Sequence, residues 1–252
     1  MTDAPIHLVE MTRALGQPHL DYVIIGEGNT SLRVDADSFW VKASGQQMHN
    51  IMADGFVQVW FAPILAMLDE PPGDLAAQKA VMQAAKVDPM SPRQPSVEVG
   101  FHAMLLHECG AQVIGHTHPV EVNKLLCSAR AQEFASNRLF PDECVLCGPA
   151  SVFMPYIDPG LPLARALREQ VRRYRDTWGD APKVILLANH GLIAVGQTPA
   201  EVLNITAMCV KAAAVFVGAC AAGGPVFMSR EDVLHICRRP DEIYRRQQFV
   251  ER

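Results

Sequence analysis

Apolar positions along the chain change period often enough to divide it into short strands and helices. Residues 5–16 carry apolar side chains at helical spacing and predict a short amphipathic helix. Asp21–Ile25 reads as a strand ending in the turn Gly26-Glu27-Gly28-Asn29. Ser31–Val34 and Ser38–Val41 flank Asp35-Ala36-Asp37 and predict two paired short strands. A tight loop, Ala43-Ser44-Gly45, comes next, and Phe56–Trp60 alternates as a strand does. Residues 61–86 read as mostly helical with a break at Pro71-Pro72-Gly73. Pro95-Ser96-Val97-Glu98 predicts a helix start, with Ser96 as N-cap and Glu98 in the first turn. That helix runs to Glu108 and stops at Cys109-Gly110.

Further along, Ala111-Gln112-Val113-Ile114 and Val184-Ile185-Leu186-Leu187 are short apolar runs that predict buried strands. Helices are expected over Val120–Ser128 and, charged and amphipathic, over 161–177. A strand is expected over Ile193–Val195. A long Ala-rich helix follows from Pro199 to Ala222 with Thr198 as its cap, and the Arg-rich tail, 229–252, reads as helical. With no internal repeat, low-complexity tract or linker, residues 1–252 are expected to form a single α/β domain. Because both hairpin-like turns and helices join the strands, the sheet is expected to be mixed.

The 252 residues, 49% of them hydrophobic, are ample for a substantial core. A net charge of −5 without any basic run argues against a nucleic-acid partner. The opening Met1-Thr2-Asp3-Ala4-Pro5 has neither a basic nor an apolar leader pattern, which argues against secretion. The longest apolar stretch, Ala207–Ala222, contains Lys211 and reads as too short and too rich in small residues to span a membrane. Seven scattered cysteines suit a reducing cytoplasm. Cys144-Val145-Leu146-Cys147 lacks the second pair that a zinc ribbon needs, so it reads as part of a strand or loop.

Three histidines carry the strongest chemical signal. His116 and His118 lie two apart, so an extended backbone puts both imidazoles on one side. His190, in Asn189-His190-Gly191, comes 72 positions after His118 and ends a second apolar run. Three neutral imidazoles from two strand ends suit Zn²⁺ or a similar divalent ion, with room for a substrate. A His-x-His pair alone is weakly specific and more often reads as core or turn packing. Gly28-Asn29-Thr30-Ser31, Ala43-Ser44-Gly45 and Ser96 can each present N–H and hydroxyl groups to an anion, though each also reads as ordinary turn chemistry. Gly28 is not part of a dinucleotide fingerprint, and no Walker lysine follows any glycine loop. Glu98 alone is a helix-dipole acid; beside a metal it becomes a candidate base. His102 and His107 read as helix-packing residues.

Gly28-Asn29-Thr30-Ser31, Lys42-Ala43-Ser44-Gly45, Ser96-Val97-Glu98, His116-Thr117-His118-Pro119 and Asn189-His190-Gly191 occur in that order. The series resembles the class II aldolase/adducin family, which includes fuculose- and rhamnulose-phosphate aldolases and ribulose-phosphate 4-epimerases. The resemblance spans roughly residues 6 to 220. It implies a three-layer α/β/α fold around a central mixed, largely antiparallel sheet, and a homotetramer with sites at subunit interfaces. It assigns His116, His118 and His190 as ligands of Zn²⁺, or of Mn²⁺ or Co²⁺, and Glu98 as the catalytic acid/base. It places Asn29, Ser44, Gly45 and Ser96 around a substrate phosphate or its equivalent. The implied reaction is cleavage of a ketose or ketose phosphate through an enediolate stabilised by the metal, so Lys42, Lys183 and Lys211 are not needed as nucleophiles. Many aldolases of the family have a second serine where this chain has Val97, which removes a hydroxyl donor. Tyr244 is the candidate proton donor to the leaving aldehyde. Epimerases of the family carry aspartate at the position of Glu98, which favours the aldolase. Decarboxylase and dehydratase members share the metal site. A non-catalytic adducin-like scaffold is disfavoured because such heads lack the metal histidines.

Overall fold

A computed structural model describes residues 3–70 and 73–250. In chain order the helices and strands are α1 (Ile6–Leu15), β1 (Asn29–Arg33), β2 (Ser38–Lys42), β3 (Phe56–Trp60), α2 (Phe61–Asp69), α3 (Leu75–Ala84), α4 (Val99–Glu108) and β4 (Val113–Thr117). Then come α5 (Val120–Leu126), α6 (Ala131–Ser136), α7 (Pro141–Cys147), β5 (Val152–Met154), α8 (Leu161–Trp178), β6 (Val184–Leu187), β7 (Gly191–Gly196), α9 (Pro199–Ala221), α10 (Arg230–Arg238) and α11 (Pro240–Val250). The class is α/β, with seven strands in the order β3-β2-β1-β4-β7-β6-β5. The sheet is mixed: β1–β2, β2–β3 and β6–β7 pair antiparallel, whereas β5–β6 is parallel. The chain divides into two compact units. One runs to Gly115 and takes in Ile157–Glu169; the other holds His116–Tyr156 and resumes at Gln170.

In the first unit β1, β2 and β3 form a meander. The Asp35 carboxylate accepts the N–H groups of Asp37 and Ser38, both at 2.8 Å, which closes the β1–β2 turn. Phe39 stacks on Phe61 with ring centroids 4.7 Å apart, over a core that includes Val41, Val59 and Ile64. Helix α4 is buried from Val99 to Leu106, so it reads as an apolar run with one polar exception, His102. The expected break at Pro71-Pro72 lies outside the described residues, and α2 and α3 stand on either side of it.

Two expectations are corrected in this unit. Asp21–Ile25 is not a strand: Asp21 and Ile25 take left-handed φ values of 52° and 57°, and Ile24 turns its N–H onto the Glu27 carboxylate at 2.8 Å. β-branched residues suggested a strand, but left-handed residues interrupt the extended backbone that pairing requires. Nor is Ser96 the N-cap of α4. Glu98 occupies that position, and the Ser96 hydroxyl instead accepts the Glu98 N–H at 3.2 Å.

In the second unit the Leu187↔Gly191 pairing closes the β6–β7 hairpin. Helix α9 is capped by Thr198, whose hydroxyl accepts the Glu201 N–H, while the Glu201 carboxylate reaches back to the Gln197 N–H at 2.6 Å. Contrary to the expectation for Ala207–Ala222, the 23-residue α9 is long and apolar enough to cross a membrane, and among the described residues it alone is. It packs instead on α5, α7 and β7, burying Val202, Ile205, Cys209, Ala212 and Phe216. Cys144 and Cys147 lie on α7, not in a strand or loop. The buried Arg138 donates to the carbonyls of Gly148 at 2.7 Å and Asn137 at 2.9 Å, beside Glu143 at 3.6 Å. The tail is two helices, because Pro240 starts α11 rather than continuing α10.

Candidate metal centre and active site

β4 carries His116 and leaves His118 just past its end, and the β6–β7 hairpin presents His190. Alternation along the extended chain turns His116 and His118 to one side. The His116 Nε2 lies 3.0 Å from the His118 Nε2 and 3.3 Å from the His190 Nε2. The three rings meet edge to face, with centroids 4.8–4.9 Å apart.

Each residue of Asn189-His190-Gly191 has a local job. Asn189 takes the left-handed φ of 55° that turns the hairpin, a conformation asparagine tolerates better than most residues. Its N–H bonds to the Leu126 carbonyl at 3.1 Å, and Asn123 Nδ2 donates to the His190 carbonyl at 3.1 Å. Gly191 is required by close approach: a Cβ there would meet the Thr117 carbonyl oxygen at 2.5 Å and the His118 Cδ2 at 2.6 Å. The missing side chain is what lets β7 bring His190 against His116 and His118.

This donor set fits a divalent cation. The His116 Nδ1–H donates to the Leu192 carbonyl at 3.0 Å, which fixes the tautomer and leaves the Nε2 lone pair facing the other two rings. Burial first, and the neighbouring His190 second, push the His116 pKa down to about 3 against the opposing pull of the Leu192 carbonyl. His116 is therefore a neutral imidazole at ordinary pH. Tetrahedral nitrogens about 2.0–2.1 Å from Zn²⁺ are roughly 3.3 Å apart, which matches the observed separations.

The other candidate residues assemble in the first unit. Asn29 begins β1, and its Nδ2 donates to the Glu98 Oε2 at 2.7 Å and to the Ser96 Oγ at 3.2 Å. Asn29, Ser96 and Glu98 are all buried. The loop bearing Ser44 and Gly45 runs alongside: Ala43 bridges Pro95, the Ser44 N–H donates to the Gln94 carbonyl at 2.9 Å, and Gly45 supplies a φ of 78°. Ser44 and Gly45 are exposed, as is Val97 at 57%. Lys42, passed over as a nucleophile, is buried and donates to the Gln46 carbonyl at 2.5 Å. Burial pushes its pKa down to about 8 against the opposing charge of Glu98. His107 packs its ring on Phe61 at 5.3 Å, as expected of a helix-packing residue. His102 packs on Phe101 at 4.6 Å but also hydrogen-bonds to Ser31 and Asn29, which its sequence context does not reveal. Tyr244 is 63% exposed on α11.

A profile of the class II aldolase and adducin N-terminal domain matches residues 6–217. The chain belongs to that family. Class II aldolases use a divalent metal, and their fold is shared with a solved L-fuculose 1-phosphate aldolase at a TM-score of 0.67 and 18% identity, over 91% of this chain and 92% of that one. The chain is 26% identical over 207 residues to the methylthioribulose-1-phosphate dehydratase of Microcystis aeruginosa, covering 79% of this chain and 87% of the relative. It is 25% identical over 183 residues to the uncharacterized oxidoreductase YuxG of Bacillus subtilis, covering 69% of this chain but only 24% of that protein. The chain thus has the class II aldolase fold, on which both aldolases and related dehydratases are built.

Proposed function

We propose that this protein is a metal-dependent class II aldolase that cleaves a ketose or ketose phosphate. The observation that carries the reading is the convergence of three Nε2 atoms, one of them on an imidazole locked in the ligating tautomer. His116, His118 and His190 would hold Zn²⁺, or Mn²⁺ or Co²⁺ in its place. The bound cation would act as a Lewis acid, stabilising the negative charge that develops at a carbonyl as the neighbouring carbon–carbon bond breaks. Glu98 would move the proton on the carbon beside that carbonyl. Ser96, Ser44 and Gly45 would offer N–H and O–H donors to a phosphate or an equivalent anionic end, and Asn29 would join them by turning the amide hydrogen it gives to Ser96. The exposed Val97 side chain offers no donor there, so backbone N–H groups would take the place of the missing hydroxyl in any phosphate grip. Tyr244 would be the proton donor to the leaving aldehyde.

The family match runs through both compact units, which supports treating residues 1–252 as one functional domain. We further propose a cytoplasmic homotetramer with sites at subunit interfaces. The seven scattered cysteines suit a reducing compartment.

One relative favours a second reading, loss of water from a sugar phosphate, because it is a methylthioribulose-1-phosphate dehydratase matched over most of its length. Incubating the protein with Zn²⁺ and either L-fuculose 1-phosphate or methylthioribulose 1-phosphate separates the two. Release of an aldehyde, scored by a coupled dehydrogenase, is the expected result. A product that keeps every carbon and has lost one water would establish the dehydratase, and no metal-dependent turnover of any ketose phosphate in a wider panel would overturn both.

A further inference from the structure

We propose that His102 is a positioning residue that aims the Glu98 carboxylate by fixing the orientation of the Asn29 side-chain amide. The inference rests on the reading of Glu98 as the acid/base. Two periodicities create the arrangement. Asn29 and Ser31 are alternate residues of β1 and share a face, while Glu98 and His102 are one helical turn apart on α4. Packed together, the two pairs form a buried chain from the Ser31 Oγ to the His102 Nδ1 at 2.6 Å, from the His102 Nε2 to the Asn29 Oδ1, and from the Asn29 Nδ2 to the Glu98 Oε2 at 2.7 Å. The same Nδ2 donates its other hydrogen to the Ser96 Oγ at 3.2 Å. Ser31, Asn29, Ser96, Glu98 and His102 are all buried.

The protons follow from the partners. The Asn29 Oδ1 is a carbonyl oxygen and only accepts, so the His102 Nε2 carries the hydrogen. The Ser31 hydroxyl suits either charge state of the ring, because it donates to a bare Nδ1 and accepts from a protonated one. A flipped Asn29 amide would set its oxygen against the Glu98 carboxylate and its N–H groups against the His102 N–H. Oxygen would face oxygen at the Glu98 end, and the His102 ring could match the other end only by moving its proton from Nε2 to Nδ1, inside a buried site where an unmatched polar atom is costly. The His102 N–H therefore selects the one orientation in which Asn29 donates to both Ser96 and Glu98. A carboxylate held on one oxygen this way has its other oxygen aimed. Misplacing a reacting group by about 1 Å can slow a reaction by ~10².

The test compares His102→Leu, which removes the donor, with His102→Gln, whose amide nitrogen reaches the Nε2 position. Crystal structures and turnover are both read, using whichever of L-fuculose 1-phosphate and methylthioribulose 1-phosphate is consumed. Leucine is expected to release the Asn29 amide from the Glu98 Oε2 and to lower turnover by roughly 10–10² at unchanged bound metal, with glutamine restoring it to within about threefold. In a Glu98→Gln background the leucine change is expected to add less than about threefold, since both substitutions act on one group. The proposal is overturned if Asn29 still donates to the Glu98 Oε2 in the leucine variant, if glutamine is as impaired as leucine, or if the two losses multiply. Normal turnover of Glu98→Gln by itself would instead sink the acid/base reading, while the structures still judge the relay. Should the leucine variant not fold, ¹⁵N shifts of the His102 ring in the wild-type protein decide: a protonated Nε2 supports the relay and a bare one overturns it.

Discussion

At the scale of single residues, the site is built by groups whose work lies in what they leave out or leave open. Gly191 has no side chain where one would collide with the Thr117 carbonyl, and the His116 Nδ1 is occupied by Leu192 so that the Nε2 remains a lone pair. The His-x-His pair was legible in the sequence because strand alternation alone puts both rings on one side. His102 was not legible as more than packing, because one helical turn of spacing looks the same whether the ring meets carbon or an amide oxygen. Glu98 carries a prediction at this scale. Glu98→Gln keeps the shape and the Asn29 contact but cannot exchange the proton. It should retain bound metal while kcat falls by at least ~10², the usual size of acid/base catalysis. A kcat near that of the unaltered protein would remove Glu98 from the proposed chemistry.

At the scale of elements, the strands of the meander β1-β2-β3 and of the hairpin β6–β7 were readable, since each alternates or forms a compact apolar run beside turn residues, but of their pairings only β1 with β2 was. Helices α6 and α7, of six and seven residues, and the three-residue β5 were not, because they are too short to establish a period. The start of α4 shifted from Ser96 to Glu98 for a physical reason. The serine hydroxyl is engaged two residues on and by Asn29, so it does not cap the first turn. Close approach of β7 to the His118 ring makes a second prediction. Gly191→Ala must push β7 or the His118 ring aside, and overpacking of this kind costs about 1–3 kcal/mol. Urea unfolding should show that loss together with weaker metal retention, whereas an unchanged midpoint and full metal content would mean that the hairpin has slack the geometry denies.

At the scale of the whole molecule, the class and the mixed sheet were legible from how strands are joined, but the strand order β3-β2-β1-β4-β7-β6-β5 was not, because neighbours distant in sequence leave no local pattern. Helix α9 was readable together with its Thr198 cap, and the structure adds which face is buried, the one packed on α5, α7 and β7. A cation that binds the folded chain and not the unfolded one adds stability, about 2.7 kcal/mol at a hundred times its Kd. Chelation should therefore lower the unfolding midpoint, and Zn²⁺ should restore it; a midpoint indifferent to both would separate the histidine cluster from the stability of the fold. The most direct measurement is the metal content of the purified protein by atomic emission, with and without His118→Ala. About one divalent ion per chain is expected in the unaltered protein and close to none in the variant, by the loss of one of three ligands. Full metal content in the variant, or none in the unaltered protein after exposure to Zn²⁺, Mn²⁺ and Co²⁺, would contradict it.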